Sequence, residues 1–226
     1  MLITFSGTDG AGKSTQIQLL QLSFQQSGKK VICLWARGGY TPGFELLKRI
    51  IRSLFKSRLA KPGSNNLRTQ QLSNPLLAKT WLFIATLDLI IYWCLYIRVL
   101  QLFSIVVICD RYTKDTLLDF RHNFPDIPFE RSFFWRLLLR IIPNPDISFL
   151  LWVPVSESLR RSALKNEPFP DDKETLDWRL NAYLTNSLFP VNQYFILDCT
   201  LSVDTLASYI HDKVHQAFPL LFTNAS

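Results

Sequence analysis

The sequence predicts a three-layer α/β fold in which a five-stranded parallel sheet is flanked by helices. Short, almost continuous apolar segments alternate with helical stretches, which is typical of parallel strands that are buried on both faces. A glycine-rich turn follows the first of these segments, and a helix follows that turn. The five predicted strands are Leu2–Phe5, Val31–Trp35, Ile105–Cys109, Ile147–Val153 and Tyr194–Leu197.

Capping residues and prolines predict the helices. Apolar spacing indicates a first helix over Thr15–Phe24. Asn74 followed by Pro75 is typical of a helix start, and this helix should run toward Leu100. A further helix is predicted over Phe133–Ile142, because two prolines stop it before the fourth strand.

Length and composition favour one globular domain over residues 1–226. The chain has 226 residues, of which 48% are hydrophobic, and this suits a single sizeable core. A net charge of +7 favours an anionic partner. Because the basic residues are scattered along the chain, a nucleic-acid partner is not expected.

The cysteines and the N-terminus favour a cytoplasmic protein. Four widely spaced cysteines form no C-x-x-C pair, and the chain starts directly on a strand pattern without the features of a signal peptide. The apolar segment Trp81–Cys109 is interrupted by Asp88 and Arg98. We therefore expect a buried core helix there, and membrane contact is disfavoured because charged residues within a span are costly.

The first turn has the spacing of a phosphate-binding loop. Gly7, followed by Gly12, Lys13 and Ser14, fits the pattern G-x-x-x-x-G-K-[ST]. Glycines allow backbone angles at which successive N–H groups point inward and surround an anion. The following helix adds its positive end, Lys13 adds a cation, and the hydroxyl of Ser14 can bind Mg²⁺.

A second phosphate-directed element is predicted at the end of the third strand. Asp110 ends an apolar run, as a Mg²⁺-supporting carboxylate does in such proteins, and Arg111 can hold a phosphate through two parallel hydrogen bonds. The alternative is a surface salt bridge or a helix cap. Arg37 lies after the second strand at the same predicted edge, although an ordinary turn would look alike.

A cationic lid is predicted over about residues 160–173. Arg161 and Lys165 are four residues apart and share one helix face, just before an acidic, proline-containing loop. Phosphoryl transfer needs cations around the moving group and exclusion of water, which a closing flap would supply. The alternative is an ordinary charged surface helix.

Taken together, these motifs resemble those of the thymidylate kinases and their bacterial relatives, which are P-loop nucleoside monophosphate kinases. The resemblance covers most of the chain. It rests on residues 5–16, on Asp110-Arg111-Tyr112, on Ser158–Arg161, and on the pair Arg179 and Tyr183.

The resemblance implies roles for the residues of the first loop and the lid. Lys13 and Arg161 would stabilise the transferring phosphoryl group, while Ser14 and Asp110 would support Mg²⁺. The ATP-binding residues implied are Gly7, Gly10, Ala11, Gly12, Lys13, Ser14 and Thr15.

For the acceptor, the resemblance implies that Asp9 lies near its phosphate while Arg111 and Arg37 hold that phosphate. Phe83 matches the family's base-binding phenylalanine. The acceptor would be a small molecule, thymidylate first, and a homodimer is left open.

Three positions depart from the family pattern. Ser6 stands where an acid usually precedes the first glycine, and Trp152 stands where an Asp usually follows the fourth strand. Leu87 replaces an Arg that reads the base, and an apolar side chain cannot make that hydrogen bond. Asp88 is either a substitute contact to the acceptor or a structural carboxylate.

The sequence therefore predicts an ATP- and Mg²⁺-dependent kinase, with two alternatives. The departure at Leu87 allows a sugar or another small metabolite as the acceptor. The second alternative is a nucleotide-binding module without turnover. A signalling GTPase is not expected, because the chain has no N-K-x-D motif.

Overall fold

The computed structural model describes residues 1–35, 41, 43, 74–165, 171–185, 194–219 and 222. The chain divides into two compact units. The first comprises Met1–Trp35, Leu100–Leu118 and Asn144–Ser226, and it contains the whole sheet. The second comprises Ala36–Val99 and Asp119–Pro143. The expectation of one kinase domain over residues 1–226 stays a prediction.

The predicted five-stranded parallel sheet is confirmed, with strand order β2-β3-β1-β4-β5. Every predicted strand is present, and three of them continue one or two residues beyond their predicted ends. The β3 strand starts one residue later than predicted, and β4 ends one residue earlier. The strands are β1 (Leu2–Gly7), β2 (Val31–Trp35), β3 (Val106–Asp110), β4 (Ile147–Trp152) and β5 (Tyr194–Asp198).

Helices connect the strands, as expected for parallel neighbours. In the described part of the chain, they are α1 (Lys13–Gln26), α2 (Pro75–Leu89), α3 (Ile97–Leu102), α4 (Thr113–Asn123), α5 (Phe133–Ile141), α6 (Val155–Leu164), α7 (Lys173–Leu184) and α8 (Val203–Ala217). A short 3₁₀ helix covers Phe129–Arg131.

The core of the first unit lies between the sheet and the helices α1 and α8. Ile3 and Phe5 of β1 are completely buried, and the ring of Phe5 lies 5.1 Å from that of Phe149 on β4. Ile17 and Ile210 belong to the same apolar cluster and cover this face from the helix side. This burial anchors β1, so the loop that follows it starts from a fixed strand end.

The helix that starts at Pro75 differs from the expectation in two respects. The side chain of Asn74 caps it by accepting from the amide of Leu76 at 3.0 Å, as predicted. However, a π-helical segment, Ile90–Tyr96, replaces the expected α-helical turns between α2 and α3. Such segments insert an extra residue per turn and shift the side chains that follow.

Burial along this helical stretch is also lower than expected. Residues Pro75–Leu102 form a helical run of 28 residues, and an 18-residue stretch within it has mean hydropathy 1.8 and is 39% buried. By length and composition alone, this run could cross a membrane. Ile91, Leu95 and Leu102 are exposed, whereas Trp93 and Ile97 are completely buried. One face therefore belongs to the core, and the opposite face is apolar and open.

Candidate active site

The glycine-rich loop follows β1. This strand lies between β3 and β4 in the sheet, at the position where the strand order changes direction. Gly7, Gly10 and Gly12 all have positive φ, at 137°, 75° and 81°. A Cβ atom on Gly7 would lie 1.9 Å from the carbonyl oxygen of Leu151 on β4. All three glycines therefore adopt the backbone angles that the sequence predicted for them. At Gly7, the neighbouring strand also leaves no room for a side chain.

Lys13 begins α1 and is buried inside this loop. Its Nζ donates to the carbonyl oxygens of Gly7 at 3.0 Å and Thr8 at 2.7 Å. Burial and, to a smaller extent, the nearby charge of Arg111 lower the pKa of Lys13 to about 8, against the opposing charge of Asp9. The ammonium group is therefore positioned by the loop's own backbone, where a bound phosphate would meet it.

Asp110 ends β3 and faces the same space. It pairs in register with Phe5 on β1 and Trp35 on β2. Burial raises the pKa of its carboxyl group, while the charges of Lys13 and Arg111 oppose that rise. Its Oδ1 is buried and has no hydrogen-bond partner among the described residues. A buried carboxylate oxygen without a donor is a suitable ligand for a cation.

Ser14 and Asp110 line one cleft, so the pair predicted to support Mg²⁺ fits that ion. Mg²⁺ is usually held by one or two carboxylates together with substrate phosphates. A Mg²⁺ site of this kind therefore does not need a cluster of ligands that all come from the protein. Within the described ranges, no group of three or more His, Cys, Asp or Glu residues could hold a metal.

Arg111 is held between two carboxylates. Its guanidinium pairs with Asp9 of the loop through Nη2, and with Asp115 of α4 through Nη1 at 3.5 Å. Its amide donates to the carbonyl of Phe5 at 2.8 Å, and its φ of 77° lies in the left-handed region. Because that conformation is costly for a residue with a side chain, the surrounding contacts must hold it in place.

The cleft combines the loop with the end of β3. It is lined by Asp9, Gly10, Gly12, Lys13, Ser14, Trp35, Asp110, Arg111 and Lys165. Of the lid candidates, Lys165 reaches this cleft directly. Trp35, at the end of β2, and Asp9, at the bend of the loop, complete its walls.

Arg161 lies beside the loop instead of in the lining. Its guanidinium donates to the carbonyls of Gly10 at 3.2 Å and Cys199 at 2.9 Å, and its Nε donates to Glu157 at 2.6 Å. Hydrogen bonds from Arg160 and Arg161 lower the pKa of the Glu157 carboxyl group to about 2. Arg161 thus links the loop after β1 to the one after β5, and its catalytic role stays a prediction.

The pair Arg179 and Tyr183 lies on α7. The guanidinium of Arg179 is 4% exposed and pairs with Asp171 at 2.9 Å. The hydroxyl of Tyr183 donates to Asp115 at 2.6 Å. Tyr183 therefore contacts the same carboxylate that pairs with Arg111.

Of the residues predicted for the acceptor, Phe83 and Asp88 belong to the second unit, whereas Asp9 and Arg111 belong to the first. Arg37 lies outside the described residues. Phe83 is 43% exposed and packs edge-on against Phe134, with ring centroids 4.7 Å apart. Asp88 accepts a hydrogen bond from the hydroxyl of Thr41, which is what the structural alternative requires. The binding roles of Arg37, Phe83 and Asp88 stay predictions.

Two departures from the family pattern have an acid close by. The hydroxyl of Ser6 donates to the carboxylate of Asp115 at 2.7 Å. Trp152 pairs in register with Asp198 on β5. Sequence reasoning missed Asp115, although its place four residues after Arg111 on a helix start was a usable signal.

A P-loop phosphotransferase is defined by a strand, a glycine loop with a buried lysine, and an aspartate and an arginine at the end of the adjacent strand. The family model of thymidylate kinase matches residues 5–210. The chain therefore belongs to the thymidylate kinase family, and it is an ATP-dependent nucleotide kinase. This favours the kinase hypothesis over the module without turnover.

Individual relatives agree with this assignment at modest identity. A thymidylate kinase of Bradyrhizobium sp. (strain ORS 278) is 26% identical over 220 residues, covering 95% of this chain and 89% of the relative. That of Bartonella henselae is 27% identical over 225 residues, covering 95% and 94%. That of Chlorobium luteolum is 48% identical over 58 residues, covering 26% and 25%.

Proposed function

We propose that this protein transfers the γ-phosphoryl group of ATP to thymidylate, and that Ser14 and Asp110 would hold the Mg²⁺ that this reaction needs. The observation that carries the proposal is one cleft that holds the buried ammonium of Lys13 and the adjacent residues Asp110 and Arg111. The family and the relatives named thymidylate kinase support the choice of acceptor.

The backbone of the loop would hold ATP. Amides from Gly10 to Thr15 and the positive end of α1 favour the negative charge of the β- and γ-phosphates. Lys13 would exchange its two carbonyl contacts for phosphate oxygens. Mg²⁺ would neutralise charge on those phosphates, and Asp110 has a buried oxygen that can serve as its ligand.

Arg111 would hold the phosphate of the acceptor in line with the γ-phosphate. Asp9 pairs with Arg111 on the side of the loop, so both groups lie where the two substrates would meet. We assign Arg37 to the same phosphate, and Phe83 and Asp88 to the thymine. Catalysis would then consist of positioning and charge stabilisation, since phosphoryl transfer needs little covalent help from the protein.

Lys165 and Arg161 would complete the cationic side of the site. Lys165 lines the cleft, and Arg161 anchors the start of the lid to the loop through Gly10. Closing the lid over residues 160–173 would exclude water from the transferring group.

We further propose a cytoplasmic enzyme with a small-molecule acceptor and without a nucleic-acid or membrane partner. All four cysteines are free thiols, in accord with a reducing compartment. The exposed apolar face around Ile91 and Leu95 offers a surface for a homodimer. Sedimentation analysis of the purified chain would determine its oligomeric state.

The proposal is tested by coupled measurement of ADP release with ATP, Mg²⁺ and a panel of acceptors. The panel contains thymidylate, the other nucleoside monophosphates and several sugar phosphates, so it also covers the alternative raised by Leu87. We expect thymidylate to give the highest kcat/KM. Release of ADP with a sugar phosphate alone would contradict the proposal for the acceptor.

The matched variants are Lys13→Ala and Lys30→Ala. Removing the loop cation should lower kcat by about a hundredfold or more, because it stabilises charge in the transition state. Lys30 is exposed just before β2, so its loss should leave kcat unchanged. If ADP release is the same in both variants, the site is not the one described.

A further inference from the structure

We propose that Asp115 is the positioning residue for Arg111, and that its buried negative charge sets how the enzyme holds the acceptor phosphate. This inference rests on the proposed function in assigning Arg111 to that phosphate. Asp115 lies in the first turn of α4, behind the cleft, and is completely buried. It does not line the cleft itself, so it acts through another side chain.

The carboxylate of Asp115 has a complete set of donors. Oδ2 accepts from the hydroxyl of Ser6 at 2.7 Å and from the amide of Tyr112 at 3.0 Å. Oδ1 accepts from the hydroxyl of Tyr183 at 2.6 Å and from Nη1 of Arg111 at 3.5 Å. Four donors from four residues satisfy the four acceptor positions of a carboxylate, so this group is held in one orientation.

This fixed carboxylate determines one side of the Arg111 guanidinium. The other side pairs with Asp9, which is partly exposed on the loop. Asp9 lines the cleft, whereas Asp115 is completely buried and does not. Replacing Asp115 would remove the carboxylate contact of Nη1, and the strained backbone of Arg111 would lose a restraint.

The charge of Asp115 also matters, since its surroundings include other ionisable groups. The ammonium of Lys114 is buried beside it and lies 4.8 Å from the ring centroid of Tyr194. Burial raises the pKa of the Tyr194 hydroxyl, and the negative charge of Asp115 raises it further. An amide at position 115 would keep the size of the side chain but would leave Arg111 and Lys114 less compensated.

The first experiment compares Asp115→Asn with Tyr183→Phe in steady-state kinetics. Asp115→Asn removes the charge that orients Arg111, so KM for thymidylate should rise about tenfold or more, while KM for ATP should change by less than about twofold. Tyr183→Phe removes one hydrogen bond to the same Oδ1 but keeps the charge. It should change KM for thymidylate by less than about threefold.

The second experiment exchanges the hydroxyl and the carboxylate between positions 6 and 115. Ser6→Asp alone places two carboxylates against each other, and Asp115→Ser alone removes the only carboxylate of the contact. Both single variants should be impaired. The double variant Ser6→Asp/Asp115→Ser keeps one carboxylate and one hydroxyl at the 2.7 Å contact, so its kcat/KM should exceed that of either single variant by about tenfold.

The outcomes separate this inference from the proposed function. If wild-type protein transfers phosphoryl to no acceptor, the proposed function fails, and a crystal structure of Asp115→Asn then decides the inference. An Arg111 guanidinium in an unchanged position would overturn it. If the enzyme is active, equal changes in KM for ATP and for thymidylate in Asp115→Asn would also overturn the inference. Should Asp115→Asn not fold, a double variant no better than its single variants overturns the inference.

Discussion

Lys13 and Arg111 are buried cations in the same cleft, but different kinds of partner hold them. Lys13 is 7% exposed and is held by two carbonyl oxygens of its own loop, five and six residues away. Arg111 is 6% exposed and is held by carboxylates from two other elements, of which Asp9 is 102 residues away. The proposed nucleotide side of the site is thus built locally, whereas the proposed acceptor side depends on tertiary contacts.

Because of this difference, substitutions on the two sides of the site should have different effects. A change in the loop alters the backbone that surrounds phosphate, so it affects folding and ATP together. A change at the end of β3 alters a network of charges, so it affects the acceptor or the metal more selectively. The following variants test that contrast.

The largest effect is expected for Gly7→Ala, compared with Gly28→Ala. Both glycines have positive φ, but a Cβ at Gly7 would overlap the carbonyl of Leu151, while nothing lies within 4 Å at Gly28. Gly7→Ala should lower the free energy of unfolding by more than about 4 kcal/mol. Gly28→Ala should lower it by only about 1–2 kcal/mol, the cost of the left-handed conformation. Urea denaturation measures both, and equal losses would contradict the steric account.

A smaller effect, on catalysis, is expected for Asp110→Asn. The neutral amide is a poorer ligand for Mg²⁺, so kcat at low Mg²⁺ should fall about a hundredfold and recover partly as Mg²⁺ is raised. Asp212→Asn, at an exposed carboxylate on α8, is the control and should not change the Mg²⁺ dependence. A Mg²⁺ titration that is identical for Asp110→Asn and wild type would remove Asp110 from the metal site.

The smallest effect is expected for Arg111→Lys. The ammonium keeps the charge but cannot make two parallel hydrogen bonds to a phosphate, so KM for thymidylate should rise about tenfold with KM for ATP nearly unchanged. Arg136→Lys is the control, because Arg136 is exposed and its guanidinium donates to a backbone carbonyl. A selective rise in KM for ATP would place Arg111 on the nucleotide side, and the contrast between Lys13 and Arg111 would then be wrong.

Much of the fold and the loop could be predicted from the sequence. Apolar runs marked all five strands, and the spacing from Gly7 to Ser14 marked the loop with the start of its helix. The position of Asp110 at a strand end was enough to place it at the cleft. These features are local, because each depends on backbone geometry within a few residues.

The helical stretch after Pro75 shows which features could not be predicted from the local sequence. Its start at Asn74 followed from capping chemistry, but neither the π-helical segment nor the exposed apolar face could be predicted. Apolar residues occur all around this stretch, so its composition does not distinguish the side that packs from the side that remains open.

The sequence by itself determined the parallel sheet, the phosphate-binding loop and the carboxylate-arginine pair at the end of β3. Only the tertiary structure decided that Asp115 joins Ser6, Arg111 and Tyr183, which are separated from it by up to 109 residues. The physical reason is that a loop's conformation follows from nearby backbone angles. A buried charge network instead depends on strand order and on which helix faces meet, and these are set by packing of the whole unit.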